Sequence, residues 1–161
     1  MISISVEPGL KYIKNKMLFE SLKSVWLEFC KTFEASYGYT YVYDSKGINL
    51  LGPRGDGLCL PRLYWQTYLG REYINAFGIN PNTSFENCDI DFVNKDSVVI
   101  TLKNDNPLNL IVPNNEIENE MQQQLGINYF WSPKDNWRNP KFEYLMPNID
   151  FSEVVTNKSA P

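Results

Sequence analysis

Apolar and polar residues alternate along several short stretches of this chain and recur at helical spacing along others. Ile2, Ile4 and Val6 alternate with Ser3, Ser5 and Glu7, which predicts a short first strand ended by Pro8-Gly9. Asn15 is placed to cap a helix running from about Lys16 to Ala35. Leu18, Leu22, Val25, Trp26, Phe29 and Phe33 form its apolar stripe at 3.6-residue spacing, and Gly38 is the expected stop. Tyr37, Tyr39, Tyr41 and Tyr43 then fall at every second position, so an extended strand sets all four on one face. The glycines and proline between Leu51 and Leu58 predict a loop. The stretch Leu63 to Gly70 leaves strand and helix both open, whereas Arg71 to Phe77 reads as a short helix closed by Gly78.

The clearest β pattern comes next. Cys88, Ile90 and Phe92 alternate with Asp89 and Asp91, Asn94-Lys95-Asp96 makes a short turn, and Val98, Ile100 and Leu102 alternate on the far side. This spacing predicts a hairpin. Leu108, Leu110 and Val112 extend the pattern into a third strand after Asn106-Pro107. A last helix is expected from about Asn115 to Leu125, with Ile117, Met121 and Leu125 on one face and Gly126 as its stop. Asn115 and Glu118 are spaced as in a capping box. Asn128 to Pro147 is expected to wrap the core without regular structure. The mixture of helices with an antiparallel meander predicts an α+β fold, a sheet packed with two to three helices. Residues 1–155 are expected to form one domain, with a frayed tail over 156–161.

Composition adds constraints. Aromatic residues make up 14 % of the 161 positions, and disordered chains carry few, so a packed core is expected. No apolar run reaches the roughly 20 residues of a membrane span. The first residues lack the basic and apolar regions of a signal peptide, so a cytoplasmic protein is expected. Cys30, Cys59 and Cys88 are odd in number and widely spaced, which fits reduced thiols. The formal charge of −4 is unevenly spread. Residues 1–72 balance at +2, residues 84–120 at −6, and residues 121–161 at zero. An acidic stretch argues against nucleic acid as a ligand and is compatible with a basic protein partner.

The chemistry is as informative for what it lacks. There is no histidine, which removes nucleophilic systems that need imidazole as base, and histidine-containing zinc sites with them. Phosphate-binding glycine motifs are also missing. The expectation is a protein with no catalytic residues, no metal and no cofactor. Four features have a functional and a structural reading each. The loop Gly52-Pro53-Arg54-Gly55-Asp56-Gly57 could cradle an anion or be an irregular turn. Asp89 and Asp91 lie about 7 Å apart on one face of a strand, as a functional pair or as two solvated carboxylates. Glu116, Glu118 and Glu120 either favour the helix N-terminus or join the aspartates in one acidic surface. The tyrosine ladder is either an interface or cross-strand packing.

The segment from Leu60 to Gly78 carries Leu63-Tyr64-Trp65, Tyr68-Leu69-Gly70, Tyr73-Ile74 and Phe77-Gly78. This skeleton resembles a stretch in small α+β immunity proteins encoded beside bacterial polymorphic toxins and type VI effectors. Those proteins also pair an early amphipathic helix with an aromatic strand, as Leu18 to Tyr43 do here. The resemblance implies a cytoplasmic protein that binds a cognate toxin domain and blocks it. The acidic segment would suit a basic toxin such as a nuclease. The partner-binding residues expected are Asp89, Asp91, Glu116, Glu118 and Glu120, with Tyr39 and Tyr41 as anchors. Two other readings stay open: a small-ligand binder or histidine-free enzyme using the Gly52–Gly57 loop, and a structural module of a phage or secretion assembly.

Overall fold

The computed structural model describes residues 15–40, 59–103, 115–132, 134–135 and 141–147. The expected first strand, Tyr41 and Tyr43, the Gly52–Gly57 loop and the Leu108–Val112 strand lie outside them.

Helix α1 spans Lys16–Thr32, with the Leu18 amide donating to the Asn15 side chain at 3.3 Å. It ends before Gly38. The reversal is made by Glu34, whose φ of 46° is left-handed, while the Ala35 amide donates to the Cys30 carbonyl at 2.8 Å. Gly38 belongs instead to strand β1, Tyr37–Thr40. A Cβ there would stand 3.0 Å from Cys30 Sγ and 3.6 Å from the Trp26 ring nitrogen, so its missing side chain lets α1 settle on the strand. The stripe read from the sequence is accordingly rotated. Trp26, Leu27 and Cys30 face the sheet, and Phe19 stacks on Trp65 at 5.0 Å, while Val25 and Phe33 are 47 % and 58 % exposed.

Strand β2 is Gln66–Leu69, which settles the segment that the sequence leaves open. All four residues are buried, because α1 covers one sheet face and the main core covers the other. A strand covered on both sides has no reason to alternate. Gly70 follows. A Cβ there would meet the Ala35 carbonyl oxygen at 2.8 Å, so only glycine fits. Helix α2, Arg71–Phe77, is closed as expected by Gly78 in the left-handed conformation, φ 65°.

Strands β3, Cys88–Asn94, and β4, Ser97–Leu102, form the expected hairpin, with an irregularity in register between Phe92 and Asn94. Helix α3 spans Glu116–Leu125, capped by the Asn115 side chain, and a 3-10 turn follows at Ile127–Tyr129. The four strands are antiparallel in the order β1-β2-β4-β3, so the α+β expectation holds, although the pairing is not a strict meander. The chain leaves β2 through α2, runs to the outside of the sheet as β3, and returns as β4 between them. Pairing β2 with β4 buries the more apolar arm of the hairpin and leaves β3 on the edge.

The register sorts side chains by face. Leu69, Val98, Ile100, Leu102, Cys88 and Ile90 join Tyr73, Ile74, Met121, Leu125 and Phe130 in the main core. Gly38, Thr40, Gln66, Tyr68, Val99, Thr101, Asp89 and Asp91 share the opposite face, where α1 packs around Tyr68 and Val99.

Candidate functional site

The residues expected to bind a partner divide into three places. Asp89 and Asp91 point from one face of β3 and are exposed. Lys103 Nζ lies 3.2 Å from Asp89 Oδ1 and donates to the Glu86 carbonyl at 3.3 Å; Asp91 has no ion-pair partner among the described residues. Helix α3 reaches the same end of the strand, because the Asn87 side-chain Nδ2 donates to Glu120 Oε2. Glu116 is exposed one helical turn earlier on the Glu120 side. Lys103, Asp89 and the Glu86 carbonyl thus meet at the start of β3, where Asn87 also reaches Glu120; Asp91 lies further along the strand on the Asp89 face.

Glu118 is not part of that surface. It is fully buried and holds Arg62 in a bidentate pair, with Nε to Oε1 at 3.0 Å and Nη2 to Oε2 at 2.5 Å. Gln122 donates to Oε1 at 3.0 Å, and the Asn115 side chain to Oε2 at 3.4 Å. With its lone pairs occupied this carboxylate has no capacity left to act as a base, and it ties the Leu60–Tyr64 segment to α3. The Arg62 guanidinium sits 5.2 Å over the Tyr64 ring. The helical wheel carries the missed signal: Glu118 and Gln122 fall beside Met121 and Leu125, on the buried arc.

Tyr39 is elsewhere again. It stacks on Tyr64 at 4.0 Å on the main-core side of β1, the edge opposite β3 and roughly 14 Å away across three strand spacings. Tyr37 lies beside it, and its hydroxyl donates to the Arg62 carbonyl at 3.0 Å. Burial, and then the neighbouring tyrosines, push the Tyr37 hydroxyl well above the ordinary tyrosine range. Tyr37 and Tyr39 thus pack on Tyr73 of α2 and on Tyr64 ahead of β2.

Burial also governs the thiols. Cys30, Cys59 and Cys88 are free and buried, and desolvation pushes them up to about 11, 12 and 11. At neutral pH they are protonated and poor nucleophiles. Asp135, also buried, accepts the Lys141 and Phe142 amides and the Tyr144 hydroxyl, and so folds the 141–144 segment onto itself. Among the described residues no three histidine, cysteine or acidic side chains are grouped to hold a metal ion, and no helix is long and apolar enough to cross a membrane.

The edge can act through charge and through backbone. The Lys103 amide donates to the Asn87 carbonyl at 2.9 Å, while the Leu102 amide turns away to the Trp65 carbonyl, also at 2.9 Å. Antiparallel bonding alternates along a ladder, so Asp89 and Asp91 direct their backbone groups to β4, and Cys88, Ile90 and Phe92 direct theirs away from it, those of Cys88 into a bridge with Phe85. Comparison with protein-family models, with curated proteins and with solved structures finds no match.

Proposed function

We propose that this protein is an immunity protein, which binds a cognate basic toxin domain in the cytoplasm and blocks its active site or substrate groove. The observation that carries the reading is the acidic edge at β3, where Asp89 and Asp91 stand exposed on one face of the strand and Glu120 is joined to its start through Asn87. Charge gathered on one edge steers an oppositely charged protein and repels nucleic acid. The likeness of the Leu60–Gly78 segment to immunity proteins supports the same reading. Its marked residues serve the scaffold here: Gly70 admits Ala35, Gly78 closes α2, and Trp65 stacks on Phe19.

The test is co-purification of the tagged protein with the product of the gene immediately upstream. A stoichiometric complex, together with rescue from that product's toxicity, is expected. Reversing the charge at Asp89, Asp91 and Glu120 should weaken the complex and flatten its salt dependence. A harmless, non-binding neighbour would remove the reading; an unchanged affinity in the charge-reversed variant would remove its electrostatic part.

A further inference from the structure

The geometry points to strand addition as the way this edge takes its partner: we propose that β3 pairs with an extended segment alternating basic and apolar residues. The inference rests on the reading that the acidic edge receives a protein.

Two observations combine. Among the described residues β3 is bonded on one side only at Ile90 and Phe92, whose amides and carbonyls point outward, while Cys88 is bridged to Phe85. Its two faces differ chemically. Ile90 and Phe92 lie toward the main core, with Phe92 still 38 % exposed, and Asp89 and Asp91 lie on the other face. A strand laid alongside therefore meets an apolar pair on one face and a carboxylate pair on the other. The complement is lysine or arginine at every second position, with aliphatic residues between. A charged edge strand is also the usual defence against unwanted pairing. Both roles follow from the same carboxylates, which repel an acidic strand and favour a basic one.

Asp89 already has Lys103 beside it, so the incoming cation shares or displaces that contact. Asp91 has no such competitor among the described residues and is the stronger anchor. The bond pattern is equally specific. Replacing Ile90 by proline deletes an outward amide without deleting a bond to β4.

The experiment uses the full chain and a capped seven-residue peptide alternating lysine and valine. An isomer with its lysines and valines in separate blocks is the control. Amide hydrogen exchange and chemical-shift mapping are followed at about 50 mM salt, where surface charge is weakly screened. The alternating peptide should slow exchange at Ile90 and Phe92. Asp89→Asn with Asp91→Asn should weaken binding about two- to thirtyfold, the effect of two opposed charge pairs. Ile90→Ala should retain binding and Ile90→Pro should abolish it. If the proline variant does not fold, the exchange map of the wild-type complex decides. Equal binding of the blocked isomer, protection elsewhere, or no binding at about 1 mM peptide overturns strand addition. Such a failure beside a stable complex with the upstream product leaves the immunity reading standing. Peptide pairing without any such complex supports the edge and removes the immunity reading.

Discussion

Glu118→Gln replaces one oxygen of a fully buried carboxylate and leaves its shape almost unchanged. What it removes is the charge opposite Arg62, which is itself only 7 % exposed and cannot turn to water without unpacking Tyr64. Breaking a buried pair by neutralising one partner costs roughly 3–5 kcal/mol, because the other charge stays desolvated. Folded domains hold only about 5–15 kcal/mol in total. For a chain of this length each kcal/mol moves Tm by roughly 2–4 °C, so a fall of about 6–20 °C is expected in a calorimetric scan. The double variant Arg62→Met with Glu118→Leu removes both charges at similar volume. It should recover most of that loss, because the penalty belongs to the unpaired ion and not to the absent bridge. Urea titration of wild type, Arg62→Met, Glu118→Leu and the double variant closes the cycle, with an unchanged m-value showing that the same surface unfolds. A Glu118→Gln cost below about 1 kcal/mol would refute the assignment of a locked pair. So would a double variant no more stable than its worse single parent. Partner affinity, measured well below Tm, should not change in Glu118→Gln.

Three further outcomes follow from local geometry. Glu34 sits at a left-handed position that glycine occupies without strain, so Glu34→Gly should stabilise by about 0.5–1 kcal/mol, read from the urea midpoint. Gly70→Ala drives a Cβ toward the Ala35 carbonyl, a backbone atom that cannot yield, and should destabilise by about 1–3 kcal/mol in the same assay. The thiols link stability to alkaline pH. They hold their protons in the folded protein up to about 11–12, while the unfolded chain releases them near the ordinary thiol value of 9.0. The unfolded state is therefore favoured as pH rises. The contribution is complete below pH 9 and is lost as pH passes through 11 to 12. Unfolding across pH 7 to 12 should show it, and native protein at pH 8 should react with a thiol reagent only on the unfolding timescale.

The secondary structure was legible wherever one mechanism governed it. Asn15 and Asn115 cap their helices, Gly78 closes α2, and the hairpin expected between Cys88 and Leu102 forms. Reading failed where two surfaces competed for one element. α1 carries apolar residues around roughly half its circumference, and the sequence does not say which part meets the sheet. That choice is made by Gly38, a residue on a different element, whose bare Cα admits Cys30 and Trp26. β2 showed no period because both of its faces are covered. Glu118 was misplaced for a related reason. A carboxylate in a first helical turn is expected to stabilise the dipole from the surface, and only the tertiary position of Arg62 makes burial tolerable. Of the candidate surface, the charge was legible and the edge was not. The excess of acid over residues 84–120 is visible in the sequence, whereas strand order depends on β2 choosing β4.

That order has a consequence for self-association. If two copies pair antiparallel through the outward groups of β3, the two-fold axis passes by Ile90, and Ile90 of each copy faces its equivalent. Asp89 of each then stands opposite Asp91 of the other, twice per dimer, in non-bonded pairs with Cα atoms about 4.5 Å apart. Directly opposed like charges cost about 0.2–1 kcal/mol per pair. Neutralising them in Asp89→Asn with Asp91→Asn removes that penalty and leaves Ile90 and the exposed Phe92 to pair. The double variant should sediment as a larger species than wild type at high protein concentration. Adding Ile90→Pro should return it to the wild-type value. If the neutral edge sediments as wild type does, the aspartates are not what keeps β3 from pairing with itself, and their placement on that strand must then be explained by the partner alone.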